Sequence, residues 1–273
     1  MAVRSDPEKL RPITNPRQIK LGDTDAARPK DLPRRDGLKK AVKRERQRIQ
    51  KMQPIFYADG RFAMLVVLQG RDASGKDGVI RKVFRGVNAM GVATTSFKAP
   101  TETEAAHDFL WRIESRIPEK RQIGIFNRSH YEDIIVPRVH KTLPEEVWSK
   151  RYDEINDFER RLTENSVIVL KFFLHVSRDE QKKRLNERLE DPAKNWKFKA
   201  NDLKERALWD EYTDAYHDII EKCSTNYAPW YVVPADNEDA RNLLVARKIA
   251  DTLKELDLAY PPLDPELEKI RIE

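Results

Sequence analysis

Apolar positions along this chain fall into two patterns. Short, nearly continuous runs over 62–69, 93–97, 122–127, 167–176 and 230–234 predict strands. Between them, apolar residues recur every third or fourth position over 76–88, 102–116, 145–164, 178–190, 202–225 and 238–257, which predicts helices. The two patterns alternate. A run such as Val167-Ile168-Val169-Leu170 leaves no polar residue for a wet face, so its strand is covered on both sides. Right-handed crossovers then give an α/β fold, a three-layer α/β/α sandwich around a parallel sheet. Ligands of such sheets bind beyond the carboxyl ends of the strands.

Two segments precede the first strand. Residues 1–35 are rich in Pro, Asp, Lys and Arg without apolar period, and read as an extended arm. Residues 36–57 read as a basic helix, with Leu38, Val42, Ile49 and Met52 near one face. Lys39, Lys40, Lys43, Arg44, Arg46, Arg48 and Lys51 make the rest either a solvated face or an anion-contacting surface.

The densest chemistry lies where the first strand ends. Leu68-Gln69 runs into Gly70-Arg71-Asp72-Ala73-Ser74-Gly75-Lys76-Asp77, which contains the G-x-x-x-x-G-K of a phosphate-binding loop. Gly70 and Gly75 allow a tight turn, so successive N–H groups can face one anion. Lys76 adds a point charge, and the following helix N-terminus favours phosphate as well. Two residues depart from the common motif. Asp77 stands where a Ser or Thr usually holds magnesium, and could equally be a helix cap. Asp72 is a carboxylate among phosphate-binding amides, a costly placement unless a cation lies between. It is therefore expected to hold magnesium or to accept a proton.

Further basic and acidic groups follow later strands. After the third come Asn127-Arg128-Ser129-His130-Tyr131-Glu132-Asp133. An Arg there suits the charge of a phosphoryl group in transfer, and Glu132 and Asp133 could act on magnesium or position an acceptor. The same residues could simply pair with each other. His130 and His140 read as structural hydrogen-bonding residues. After the fourth strand, Arg178, Lys182, Lys183, Arg184, Arg188, Lys194, Lys197 and Lys199 suggest a helical lid over about 178–200, with its helix ending before Pro192. Arg178 and Arg188 are expected to reach the phosphates, and Lys194 and Lys197 to add a positive rim. A solvated helix would look similar. Phe97-Lys98-Ala99-Pro100-Thr101 is a weak marker for an acceptor site.

Composition narrows the class. A chain of 273 residues with 36% charged positions is expected to form one large domain or a domain with arms, and its net charge of +6 and pI of about 9.2 favour an anionic partner without saying which. The lone Cys223 excludes an internal disulfide and a cysteine metal cluster, and is expected to be structural. No apolar run approaches membrane-spanning length, and the polar N-terminus does not resemble a signal peptide; a cytoplasmic setting is expected.

Taken together, Gly70 to Gly78, Phe126 to Asp133 and the series Arg178-Asp179-Glu180-Gln181, Arg188, Asp191-Pro192, Lys194 and Trp196-Lys197 closely resemble polyphosphate kinase family 2, over about residues 30 to 260. The resemblance implies a thymidylate-kinase-like phosphate-loop domain over 36–273, with a helical lid. It implies magnesium-dependent, reversible phosphoryl transfer between inorganic polyphosphate and nucleoside mono-, di- and triphosphates. Asn127 and Glu132 resemble the class III subgroup, which accepts both mono- and diphosphates and so carries AMP through ADP to ATP. The expected catalytic residues are Asp72, Lys76, Arg128, Glu132 and Arg188, with Asp72 on the metal. The expected phosphate and nucleotide contacts are Gly70, Arg71, Ala73, Ser74, Gly75, Asp77, Asn127, Arg178, Lys194 and Lys197. A homo-oligomer is expected, without membrane or nucleic-acid partners. An ATP-dependent small-molecule kinase and a non-catalytic polyphosphate or nucleic-acid binder remain as alternatives.

Overall fold

The computed structural model describes residues 9–267 and 270–272. Five parallel strands, β1 Ala63–Gln69, β2 Val92–Ser96, β3 Ile123–Asn127, β4 Val167–His175 and β5 Trp230–Pro234, form one sheet in the order β2-β3-β1-β4-β5. Each lies within one residue of the run that predicts it. The helices are α1 Arg35–Asp59, α2 Lys76–Val83, α3 Glu102–Ala105, α4 Trp111–Glu114, α5 Glu132–His140, α6 Glu145–Trp148, α7 Arg151–Glu164, α8 Arg178–Glu190, α9 Asn201–Ala207, α10 Trp209–Cys223 and α11 Glu238–Glu255.

Period-two alternation divides the core. On β1, Met64, Val66 and Leu68 enter a cluster shared with α1, α2 and α11, whereas Ala63, Leu65 and Val67 enter one shared with α5, α7 and α10. The same division runs through β4, with Phe172 and Leu174 on the first side and Val169 and Phe173 on the second. The predicted apolar face of α1 packs on α11, with Leu38 and Ile49 fully buried, while Lys39, Lys40, Lys43, Arg44 and Lys51 stay exposed. Truncating Ile49 to Ala would cost about 2–5 kcal/mol.

Several helices differ from the pattern. The stretch 76–88 forms a helix only to Val83, because Gly86 turns the chain with φ 74°. The stretch 102–116 contains two single turns, α3 and α4; between them the Asp108 carboxylate accepts from the Leu110 N–H at 2.9 Å and competes with the helix. The stretch 145–164 is divided into α6 and α7, and 202–225 into α9 and α10 at Leu208, whose ψ of 33° leaves the helical region. Helix α5 arises where the pattern suggests only a polar cluster. Its nine residues bury Ile134, Ile135 and Val139 while Glu132 and Asp133 occupy the first turn. Helix α8 matches its expected bounds, and Asp191 before Pro192 takes the extended conformation.

Residues 9–34 carry short 3-10 turns at Pro16–Gln18 and Asp23–Ala26 and lie along the β5 side of the sheet. The Ile13 N–H donates to Trp230 O at 2.9 Å, and the Asp236 N–H donates to Ala26 O at 3.1 Å. Ile13, Ala26 and Leu32 are buried, so this segment contributes to the core. Residues 1–8 of the expected arm lie outside the described residues.

Candidate active site

The site forms at the carboxyl ends of β1 and β3, which are direct neighbours. The loop 70–75 leaves β1 and ends at Gly75, the N-cap of α2. Gly70 has φ 147°, and a Cβ there would meet Leu174 O at 2.6 Å, so glycine is required. Gly75 has φ 97°, and a Cβ there would strike the Arg241 guanidinium at 2.0 Å. Ala73 is held at φ 61°, a strained value for a residue with a side chain. Alternation of such conformations turns successive N–H groups to one side, and the first-turn N–H groups of α2 have no intrahelical acceptor.

Lys76 is buried, and its Nζ donates to Gly70 O at 2.6 Å and Arg71 O at 3.3 Å. Burial first, then the nearby Arg128 charge, lowers its ammonium to about 8. The Arg128 Nη2 donates to Asp72 Oδ1 at 2.8 Å, and its Nη1 lies 3.7 Å from Glu132 Oε2. Arg128 has φ 63°, and its N–H donates to Leu68 O at 3.0 Å, which pins the strained residue to β1. Glu132 raises the Arg128 guanidinium against its burial. Burial pushes the Asp72 carboxyl up, but Lys76 and Arg128 outweigh it and leave it below its ordinary value, so Asp72 is ionised at neutral pH. Burial raises the Glu132 carboxyl against the same two cations. Two cations and two carboxylates thus share one small space.

Other expected residues close around this centre. Asn127 Nδ2 donates to Asp77 Oδ1 at 2.8 Å, and Lys197 Nζ lies 3.4 Å from Asp77 Oδ2. Asp77 therefore ties β3 and the lid to the start of α2. Arg188 pairs with Asp202 at 3.2 Å, and its charge acts on Asp72. Three expected contacts point elsewhere. Arg71 packs its guanidinium 4.0 Å over the Trp209 ring and donates to Trp209 O and Thr213 Oγ1. Arg178 lies beside the same ring and 3.5 Å from Asp210. Lys194 pairs with Asp191 within its own loop at 3.2 Å.

The structure also gives a place at the site to residues that sequence patterning left without a role there. Asp202 is buried beside Arg188, and its carboxyl is raised by burial and then by the Asp72 charge. Gln181, Arg184 and Arg241 contact loop carbonyls. Gln181, Arg184 and Arg188 share one face of α8 by their spacing, a signal present in the sequence. Arg241 comes from α11 and carries no local signal. His130 is fully buried with Nε2 3.2 Å from Glu159 Oε1, as its structural reading expects. His140 lies 3.0 Å from Glu205. Cys223 is buried and its thiol is pushed up by burial to about 12, consistent with a structural residue.

Comparison with known proteins agrees with this geometry. The family model described as Polyphosphate kinase 2 matches residues 33–260. The chain is 51% identical over 227 residues to an AMP/ADP-polyphosphate phosphotransferase of Meiothermus ruber, covering 83% of this chain and 85% of that protein. It is 43% identical over 231 residues to an ADP-polyphosphate phosphotransferase of Rhodopseudomonas palustris, covering 80% of each. The crystal structure of Polyphosphate Kinase 2 from Arthrobacter aurescens TC1 superposes with a TM-score of 0.85 at 37% identity, over 96% of this chain and 97% of that one. A phosphate loop after the central strand, an arginine and a glutamate at the end of its neighbour, and relatives matching over most of their length lead to one assignment: the chain belongs to the polyphosphate kinase 2 family.

Proposed function

We propose that this protein transfers phosphoryl groups reversibly between inorganic polyphosphate and nucleoside mono- and diphosphates, carrying AMP through ADP to ATP. The observation that carries the reading is the convergence of Asp72 and Lys76 from one strand end with Arg128 and Glu132 from the next. The name of the Meiothermus ruber relative, an AMP/ADP-polyphosphate phosphotransferase, supports the choice of acceptors.

The loop N–H groups and Lys76 hold the terminal phosphoryl of the polyphosphate. A terminal phosphate oxygen of the nucleotide forms the new P–O bond as the P–O bond to the rest of the chain breaks. The shortened polyphosphate leaves with the bonding electron pair. The acceptor oxygen is already ionised near neutral pH, so no strong base is required. Arg128 and Arg188 stabilise the charge on the group in transfer, and positioning supplies most of the catalysis. Glu132, beside Arg128, sets the place of the acceptor. The lid residue Lys197, beside Asp77, lines the path of the polyanion, and the lid helps exclude water, which would compete as acceptor.

The donor set at Asp72 fits magnesium. It is an ionised carboxylate, about a third exposed, beside a loop built for phosphate oxygens, and hard oxygen ligands are what this ion prefers. Held there by Asp72, magnesium would neutralise part of the phosphate charge.

The reading is tested by supplying AMP and ADP separately with long-chain polyphosphate and magnesium, alongside Lys76→Ala. ATP from both acceptors with the wild type, and none with the variant, is the expected result. ATP from ADP alone would remove the monophosphate step. No product from either would remove the reading.

A further inference from the structure

Five of the six carbonyl groups of the loop 70–75 accept from side chains, and three of those, Asp72, Ala73 and Ser74, accept from residues of α8 and α11. Gly70 O and Arg71 O accept from Lys76, Asp72 O accepts from Gln181 Nε2 at 3.0 Å, and Ala73 O accepts from Arg184 Nη1 at 2.9 Å. Ser74 O accepts from Arg184 at 3.3 Å and from Arg241 Nη1 at 3.1 Å. An amide plane that turns its C=O one way turns its N–H the other. Holding the Asp72 and Ser74 carbonyls away from the site therefore turns the Ala73 and Gly75 N–H groups towards it, where a phosphate would sit, while the Ser74 N–H donates within the loop to Arg71 O at 3.1 Å. Ala73, at φ 61°, is the strained point of this loop, and its carbonyl is one that Arg184 holds.

Arg184 is built for this task. A guanidinium has five N–H groups in a rigid fork. Nε donates to Glu180 Oε1 at 2.9 Å, Nη1 takes Ala73 O and Ser74 O, and Nη2 takes Ala235 O at 2.7 Å and Asp236 O at 2.9 Å. Four of those acceptors are backbone carbonyls, two on the loop and two just past β5. A lysine could not span them, because it is a single point charge.

We infer that Arg184, assisted by Gln181, is a positioning residue that presets the phosphate loop for the donor and fixes the base of α8 to it. Since Gln181, Arg184 and Arg188 share a face, the first two turns of α8 are anchored. Arg188 lies one turn further along the same face, beyond these anchors. The inference rests on the reading that the loop and Lys76 hold the donor phosphate.

The test compares Arg184→Ala, Arg184→Lys, Gln181→Ala and Lys76→Ala by steady-state kinetics per folded molecule, with melting curves for each. Arg184→Ala should lose about 100-fold in kcat/KM for polyphosphate, the scale of an ångström-sized misplacement, while KM for ADP changes less than about twofold. Guanidinium at tens of millimolar should restore part of that loss, and Arg184→Lys should not recover it. Gln181→Ala, which keeps the arginine, should lose about tenfold in the same parameter and carries the test if Arg184→Ala does not fold. Folded Arg184 and Gln181 variants with wild-type kinetics, or losses that follow only the folded fraction, would overturn the inference. An active Lys76→Ala would instead overturn the reading of the loop beneath it.

Discussion

Arg188 Nη1 lies 3.2 Å from Asp202 Oδ2, so the lid helix is held to the helix that follows it by a charge pair beside the loop. The pair is only partly exposed, with 21% of the Arg188 and 10% of the Asp202 side chain accessible. It keeps a flexible side chain in one place, next to an acid that is itself close to Asp72. Replacing Asp202 by Asn should lower kcat about tenfold, by releasing Arg188 from its position. Because the pair is largely buried, breaking it should cost about 1–3 kcal/mol and lower the melting temperature by about 2–12 °C. Unchanged kcat with a normal melt would show that Arg188 finds its position without this partner.

Lys76 opposes stability. Its ammonium is lowered to about 8 in the folded protein against an ordinary 10.5, chiefly by burial. The unfolded chain therefore binds the proton more tightly, and stability rises with pH between about 8 and 10.5. At pH 7 the buried charge costs about 3 kcal/mol. Lys76→Met should be inactive yet more stable than wild type at pH 7, by about 1–3 kcal/mol after the lost carbonyl contacts are allowed for. That gain should shrink towards pH 10.5. Urea titrations at pH 7 and pH 9.5 measure both, and a variant less stable at pH 7 would refute the charge argument.

Glu132 has the opposite sign. Burial raises its carboxyl above the ordinary 4.5, so its charge is lost as pH falls through that raised value. Its negative charge, which helps hold Arg128, therefore fails earlier than that of a surface carboxylate. The pH profile of kcat/KM for AMP should show an acid limb above 4.5. Glu132→Gln should flatten this limb and lower the plateau about tenfold. An identical limb in the variant would assign it to another group.

How far these features can be read without coordinates depends on whether their cause is local. The five strands follow from continuous apolar runs, and the loop from two glycines and a lysine, because backbone conformation there is set by neighbours in sequence. Asp72 and Arg128 are each visible as odd residues at a strand end, but their 2.8 Å contact depends on β1 and β3 being adjacent, which no local pattern encodes. Helix α5 is obscured by its shortness, by Pro137 and by the polar residues of its first turn. Arg71 looks like a loop cation aimed at phosphate, yet a distant tryptophan on α10 takes its guanidinium. Arg241 is hidden most completely, since its role comes from α11 returning to the loop at a sequence separation of 167.

A last prediction concerns the charge pair beneath the sheet. Lys171 and Glu159 are both fully buried, with Nζ 2.5 Å from Glu159 Oε2. Lys171 also donates to Cys223 O at 2.7 Å and to Tyr131 OH at 2.8 Å, which uses all the donors of an ammonium. The Tyr131 hydroxyl in turn donates to Glu159 Oε1 at 2.9 Å, so the network reaches the turn that carries Arg128 and Glu132. Burial raises the Glu159 carboxyl, but Lys171 outweighs it and keeps the acid ionised. Removing only the cation leaves a buried carboxylate without its counter-charge, so Lys171→Met should cost about 3–5 kcal/mol. Adding Glu159→Gln removes that orphaned charge and should recover at least half of the loss. Denaturant titration of the two single variants and the double variant measures the coupling directly. Losses that simply add would mean that the two charges do not stabilise each other, and that hydrogen bonding to Tyr131 and Cys223 alone maintains the network.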